Sequence, residues 1–374
     1  MEREEVVRGR STNSALAAED RIESIDAIRG VALFGVLIVN LLQIFSISIF
    51  ASYPDTPVLG ADWLVQHLVG LVLASKAICL FSLLFGVGLA IQYERLLPSG
   101  RPHYWLARRL AVLLALGLIH LLLVWNGDIL TAYALAGFLV LPLLALPPRV
   151  LVAAAAALLA VQVLGPLFLY SIPWAKEAWL GEHIEMANRV YAEGSFLDVR
   201  LFSFAELPPI FWLHVSIFPR TLALFVFGAW LWKTGVLRRP DAFRPSLTAA
   251  AWTGIVAGTI LTAADAPLDE LGPVLMALGY GAALSLLLPR APLLRSAFAP
   301  LGRMAFTNYL LQSIVFGFVF YGYGLGQFGR MGSADAFVLG AAFYVIQLGL
   351  SRWWLARFRF GPVEWLWRRL MYGR

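Results

Sequence analysis

Residues Arg21 to Phe50, RIESIDAIRGVALFGVLIVNLLQIFSISIF, decide the fold of this chain. A polar head that contains Glu23, Asp26 and Arg29 leads directly into an apolar run. The run is long enough to cross a bilayer, because a core about 30 Å thick needs about 20 helical residues at about 1.5 Å each. The stretch therefore predicts a first membrane helix whose polar head faces the cytoplasm.

The composition extends this interpretation to the whole protein. Of its 374 residues, 60% are hydrophobic and 14% are charged, whereas soluble domains carry about 25% charged residues. Because the apolar excess is spread along the chain, we expect one integral membrane domain over residues 21–374 and a disordered cytoplasmic tail over residues 1–20. The net charge of +6 does not indicate nucleic acid, since basic residues of membrane proteins collect in cytoplasmic loops.

Apolar segments recur along the chain and predict an all-α, polytopic helix bundle with about ten membrane spans. The second segment is long enough to tilt or to contain two shorter parts. The predicted spans are 28–50, 64–92, 106–125, 129–146, 150–172, 208–232, 247–264, 271–288, 302–321 and 335–352.

The distribution of Lys and Arg predicts the orientation of this bundle. Of the 29 basic residues, four fall in predicted outer loops: Lys176, Arg189, Arg200 and Arg330. The positive-inside rule then places both termini in the cytoplasm, for a multi-pass protein of the bacterial plasma membrane. We expect residues 353–374 to form a cytoplasmic anchor. The outer segment 173–207 predicts a helix that either lies on the membrane surface or covers an outward-facing cavity.

Two cations fall near the middle of predicted spans, Lys76 in the second and Arg220 in the sixth. A charge at the bilayer centre costs at least about 2.5–3.5 kcal/mol, and no Asp or Glu is predicted at the same depth. The pair therefore predicts a cavity for an anionic group such as a phosphate or a carboxylate. Snorkelling of both side chains to the headgroups is the alternative.

The segment GLIHLLLVWNGDILTAYA carries the candidate catalytic pair, His120 and Asp128. Asn126-Gly127-Asp128 predicts a tight turn in which Asp128 caps the following helix. His120 is either a hydrogen-bonded core residue or a general base that Asp128 orients, because histidine exchanges protons near neutral pH.

Uncharged polar residues within predicted spans are further candidate ligand-binding residues. Asn308 and Gln312 lie four positions apart on one helix face, and Asn40 shares a face with Gln43. Hydrogen bonds between helices are the alternative role for these side chains. The sequence contains no GxSxG, HExxH or GxxxxGK[ST] motif, which disfavours the common hydrolases, proteases and ATPases. Its single cysteine, Cys79, excludes an intramolecular disulfide, and no metal site is predicted.

Five stretches resemble the YeiB-like family of bacterial membrane proteins over nearly the whole chain: RIESIDAIRGVALFGVLIVN, KAICLFSLLFGVGLAIQYER, GLIHLLLVWNGDILTAYA, GRMAFTNYLLQS and FGPVEWLWRRLMY. The N-terminal half of that family is similar to a wider transmembrane acyltransferase superfamily that includes heparan-alpha-glucosaminide N-acetyltransferase. The resemblance implies transfer of an acyl group from cytoplasmic acyl-CoA to an acceptor at the outer face. It leaves open whether the catalytic histidine corresponds to His67 or to His120.

Three functions remain open at this point. In an acyltransferase, acyl-CoA would be the co-substrate, Asp26 and Arg29 would lie at its binding site, and the basic inner face would meet its phosphates through Arg29, Arg95, Arg108 and Arg109. A transporter or flippase would move an anionic lipid or metabolite past Lys76 and Arg220. A structural partner in an envelope complex is the third. Membrane lipids are expected partners in each case, and a homo-oligomer is left open.

Overall fold

The computed structural model describes residues 23–51, 60–165, 177–264 and 270–372. These residues form α-helices with short π and 3-10 turns, and no strand occurs among them. The predicted tail over residues 1–20 lies outside the described residues. The helices are α1 (Glu23–Phe45), α2 (Ala61–Val72), α3 (Lys76–Leu96), α4 (Pro102–Ile119), α5 (Leu130–Val140), α6 (Pro148–Leu164), α7 (Glu177–Glu193), α8 (Phe196–Lys233), α9 (Arg244–Ala263), α10 (Leu271–Leu287), α11 (Pro292–Arg303), α12 (Ala305–Phe320), α13 (Ser333–Leu355) and α14 (Pro362–Tyr372).

The helices form an all-α, multi-pass membrane bundle. Seven helical segments of the described chain are long and apolar enough to cross a bilayer. Three shorter apolar segments, 130–145, 148–164 and 305–320, lie where further spans are expected. Each of these segments overlaps one predicted span, while the count of ten crossings stays a prediction.

The long second segment contains a break. α2 ends at Val72, α3 begins at Lys76, and Ser75 between them has a φ of 61°. That value is in the left-handed region, which side chains other than glycine rarely adopt and which costs about 1–3 kcal/mol. The Nζ of Lys76 donates to the Gly70 carbonyl at 2.8 Å and so satisfies an acceptor that the end of α2 leaves unpaired.

The helix that contains the predicted sixth span, 208–232, begins well before that span, because α8 runs for 38 residues from Phe196. Ser195 caps its first turn, accepting from the Asp198 amide while the Asp198 carboxylate accepts from the Ser195 amide. The helix then continues through Pro208 and Pro209. Proline within a helix removes one backbone hydrogen bond, so contacts with neighbouring helices must hold α8 together there.

The helices give the bundle two distinct ends. α1 has 23 residues, so its first and last residues are about 33 Å apart. We call the end with Arg29, at the start of α1, the basic end, and the end with Phe45 the far end. α11 reaches the start of α1 at the basic end, where a Cβ on Gly302 would lie 1.8 Å from the Asp26 carbonyl oxygen. Only glycine allows that approach of the two backbones.

Candidate functional site

A cavity of about 330 Å³ opens at the basic end between α1, α3, α4, α5, α12 and the C-terminal segment. Its deeper part is apolar and aromatic, with Phe81, Phe85, Tyr133 and Tyr309 in the wall. A volume of this size is within the range of small-molecule sites, which typically combine apolar walls with a few placed polar groups.

Arginine dominates the polar lining of the cavity. Asp26 and Arg29, both predicted as ligand-binding residues, lie in its wall and form an ion pair at 2.6 Å. Arg108 was expected beside them, but its Nη2 donates to the Leu370 carbonyl at 3.2 Å and the residue does not line the cavity. The lining arginines are Arg29, Arg95, Arg109, Arg303, Arg359 and Arg368.

α14 closes one side of the cavity and is fixed there by specific contacts. The Glu364 carboxylate accepts from the Phe306 and Thr307 amides at 2.9 and 3.0 Å, so it caps the start of α12 from another helix. Trp367 donates from its indole to the Arg109 carbonyl at 3.0 Å, and the Arg109 guanidinium lies 3.7 Å from the centre of its ring. Burial raises the pKa of Glu364, although hydrogen bonds from Thr307 oppose the shift. The predicted cytoplasmic anchor thus also forms part of the cavity wall.

The predicted contact between His120 and Asp128 is present. His120 Nδ1 donates to Asp128 Oδ1 at 2.8 Å, and both side chains are buried. The Thr131 amide donates to the other Asp128 oxygen at 2.8 Å, which is the predicted cap of α5. Since the carboxylate holds the Nδ1 proton, Nε2 is the basic nitrogen of the ring. Nε2 is fully buried and has no hydrogen-bond partner among the described residues.

His120 lies behind the cavity wall. Its ring centre is 5.3 Å from that of Tyr309, which lines the cavity. His120 begins a π-helical turn, His120–Val124, that interrupts the end of α4; such turns often occur at functional sites. We expected His120 to share a polar cavity with Lys76 or Asn40, but none of these three residues lines this cavity.

A second histidine–carboxylate pair lies at the far end, and the sequence analysis did not identify it. His183 of α7 donates from Nε2 to Glu206 of α8 at 2.9 Å. The other Glu206 oxygen accepts from Asn126 at 2.7 Å and from the Tyr191 hydroxyl. Asn126 belongs to the turn that carries Asp128, so one turn contacts both pairs. The only sequence signal was Glu206 itself, an acidic residue within an apolar stretch.

The premise that Lys76 and Arg220 both lack an anionic partner is wrong for Arg220. Its Nη1 donates to Glu270 Oε2 at 3.1 Å, and its backbone amide donates to Gln162 at 3.2 Å. Glu270 directly precedes α10 and the predicted span 271–288, so the sequence did not place it at the depth of Arg220. Neither Lys76 nor Arg220 lines the basic-end cavity.

Asn308 and Gln312 take part in hydrogen bonds between α12 and α13. Gln312 donates to Gln347 at 2.8 Å, Gln347 donates to the Asn308 side chain at 3.0 Å, and Asn308 donates to Ser351 at 2.9 Å. These contacts match the interhelical role that the sequence left open. Asn40 is buried just before the π-helical turn Leu41–Phe45.

Comparison with known proteins places this architecture in a family. The chain is 32% identical to the uncharacterized protein YxaH of Bacillus subtilis, over 94% of both chains. It is 31% identical to the uncharacterized protein YeiB of Escherichia coli, over 94% of this chain and 96% of that protein. The chain belongs to the YeiB-like family. The resemblance inferred from the five sequence stretches is therefore confirmed.

Other comparisons agree with YeiB-like membership. The model of the family described as "Protein of unknown function (DUF418)" matches residues 231–374, which include Glu364 and Trp367 of the cavity wall. An uncharacterized 39.9 kDa protein of Bacillus acidopullulyticus is 28% identical over 96% of both chains. No solved structure matches the chain.

Proposed function

We propose that this protein is a transmembrane acyltransferase that takes an acyl group from acyl-CoA at its basic end and transfers it to an acceptor that approaches from the far end. The observation that carries the proposal is the buried His120 Nε2, which has no hydrogen-bond partner among the described residues and lies directly behind the wall of an arginine-lined cavity.

The lining of the cavity fits the chemistry of coenzyme A. Arg29, Arg303 and Arg359 are among the arginines that can form charge-assisted hydrogen bonds to its phosphates. The apolar inner part, with Phe85 and Leu113, suits the acyl-pantetheine arm. The thioester would then point toward Tyr309 and His120. This orientation places the phosphates at the basic end, the cytoplasmic side by the positive-inside rule.

His120 supplies the base in this scheme. Asp128 holds the proton on Nδ1, so Nε2 accepts the proton of the acceptor hydroxyl or amine as that oxygen or nitrogen attacks the thioester carbonyl. The carbon–sulfur bond breaks and the acyl–acceptor bond forms. The CoA sulfur then takes the proton from Nε2, which restores the neutral ring. Tyr309 lies between the ring and the cavity, so the proposal requires its side chain to move.

Purified protein incubated with radiolabelled acetyl-CoA tests this function. We expect release of the CoA thiol, with label appearing on a co-purified acceptor such as lipid. Equilibrium binding of CoA without an acyl group, measured in parallel, separates binding from turnover. Absence of CoA binding by folded protein at low ionic strength would rule out the proposal.

A transporter of an anionic lipid or metabolite is the second candidate, and the break between α2 and α3 favours it. Discontinuous membrane helices are typical of transporters, in which the exposed helix ends contact the substrate. Lys76 lies at this break and the strained Ser75 precedes it. Release of CoA from acetyl-CoA supports the acyltransferase, whereas CoA-independent movement of an anion across proteoliposomes supports the transporter.

A further inference from the structure

Arg200, in the second turn of α8, is a buried cation at the far end. The residue is 4% exposed, and its three guanidinium nitrogens make no hydrogen bond to any described part of the chain. A guanidinium carries five N–H donors. A buried charge with unpaired donors is strongly destabilising, so a side chain in this position needs an anionic or polar partner.

The carboxylates that flank Arg200 in the sequence are engaged elsewhere. Glu206 has both oxygens occupied by His183, Asn126 and Tyr191. Asp198 accepts from Ser195 in the cap of α8, and Glu193 pairs with Arg330 at the surface. None of the three forms an ion pair with Arg200. None of these neighbouring carboxylates therefore neutralises the guanidinium among the described residues.

The surroundings of Arg200 are aromatic and carry hydroxyl groups. Its guanidinium carbon lies 5.9 Å from the ring centre of Phe196. The Phe196 ring also lies 5.3 Å from the ring of Tyr323, whose ring is in turn 5.8 Å from that of Tyr321, so both phenols belong to the same aromatic cluster. These tyrosines belong to the glycine-rich segment FYGYGLGQFG that follows α12.

We propose that Arg200 forms the centre of an anion site at the far end, which binds a phosphate or carboxylate group with Tyr323 as a second donor. A planar guanidinium pairs with either anion through two parallel hydrogen bonds. The group can come from a soluble anion or from a phospholipid headgroup. A lipid source fits the neighbouring apolar surface, since Phe196 and Leu197 are 51% and 63% exposed. The site does not depend on the proposed acyl transfer.

Thermal unfolding of purified protein in detergent tests this site. Sodium phosphate or acetate is titrated against sodium chloride of equal ionic strength. We expect either anion to raise the unfolding midpoint of the wild type by about 2–6 °C beyond the chloride control, with saturation. Arg200→Gln should lose this additional shift. The matched control Arg330→Gln removes an exposed arginine of the same end and should keep it.

A second experiment, with lipid, distinguishes a phospholipid headgroup from a soluble anion as the ligand. Native mass spectrometry with short-chain phosphatidylglycerol should show a retained lipid on the wild type and on Arg330→Gln, but not on Arg200→Gln, if the source is a headgroup. A shift with phosphate or acetate and no retained lipid assigns the site to soluble anions.

Two results overturn the proposal. One is a wild type that neither anion stabilises beyond the chloride control and that retains no lipid. The other is an equal response of Arg200→Gln and wild type. If Arg200→Gln does not fold, Arg200→Lys replaces it, and its response to phosphate should be reduced because an ammonium group lacks the two-pronged geometry. An undiminished response of Arg200→Lys also contradicts the proposal.

Discussion

Two histidine–carboxylate pairs lie on either side of the Asn126-Gly127-Asp128 turn, His120–Asp128 and His183–Glu206, but they differ in what remains unpaired. At the far end, both oxygens of Glu206 accept hydrogen bonds and the His183 ring lies between Trp179 and Phe202, with ring centres 4.3 and 5.0 Å away. In the other pair, next to the cavity, Asp128 orients one nitrogen of His120, and the other nitrogen has no hydrogen-bond partner among the described residues.

This difference suggests that one pair stabilises the protein and the other takes part in its chemistry. A fully satisfied polar network stabilises the packing of the helices that it joins. A buried nitrogen without a hydrogen-bond partner destabilises the fold. Such a group can persist at a reactive site because the function needs it. We therefore expect substitutions at His120 and in the cavity lining to change turnover and binding, and substitutions in the Glu206 network to change stability.

The largest expected effect is at His120. His120→Ala should lower the rate of acyl transfer from acetyl-CoA by about 10²–10⁴-fold, the usual contribution of a general base. Binding of CoA should remain within about twofold, because a lost base removes transition-state stabilisation. His67→Ala is the matched control, since His67 contacts Trp63 near the start of α2 and does not line the cavity. Full activity in His120→Ala would contradict the catalytic role.

Glu206→Ala should have the largest effect on stability, because it leaves the donors of His183, Asn126 and Tyr191 without their acceptor. We expect a loss of about 3 kcal/mol in the free energy of unfolding, measured by denaturant titration in detergent. Glu185→Ala, on the exposed face of α7, should change it by less than about 0.5 kcal/mol. Equal stability of the two variants would refute a structural role for the Glu206 network.

A smaller effect is expected when the cavity loses single positive charges. Arg359→Gln and Arg368→Gln should each weaken CoA binding by about tenfold, equivalent to about 1.4 kcal/mol, with little change in unfolding. Isothermal titration at two salt concentrations should also show a reduced salt dependence. Arg357→Gln is the control, because Arg357 lies over Trp353 and does not line the cavity. A loss of affinity in Arg357→Gln as large as in the other two would indicate a general charge effect.

The smallest effect concerns the pH dependence of stability at Glu364. Because burial raises the pKa of Glu364, its favourable contribution is complete below the unfolded pKa of 4.5 and is lost as the pH rises through the folded value. The stability of wild type relative to Glu364→Gln should therefore fall as the pH rises from about 4 to about 8. Thermal midpoints over this range measure it, with Glu193→Gln as an exposed control. A difference that stays constant or rises with pH would contradict the shift.

The sequence predicted what depends on local pattern. Apolar runs located the membrane helices, and the Asn126-Gly127-Asp128 turn predicted both the cap of α5 and the contact with His120. Contacts between distant segments were not predictable. Glu206 lies just before the predicted span 208–232, although it belongs to α8. Glu270 lies just before the predicted span 271–288, although it reaches Arg220.

The arginines of the cavity were likewise only partly predictable from the sequence. Arg29, Arg95 and Arg109 could be assigned to one side of the membrane from the charge pattern. That Arg303, Arg359 and Arg368 join them depends on how α11 and α14 pack against the earlier helices, which no local pattern determines.

The position of α14 has a consequence for the order in which the protein matures. During synthesis, α14 follows the other thirteen described helices out of the ribosome, and until it docks, the cavity lacks Trp367 and Arg368 and the start of α12 lacks its Glu364 cap. A nascent chain inserted in the membrane would thus hold His120 and Asp128 in place before it has a complete binding site. Ligand binding can therefore report that the last helix has docked.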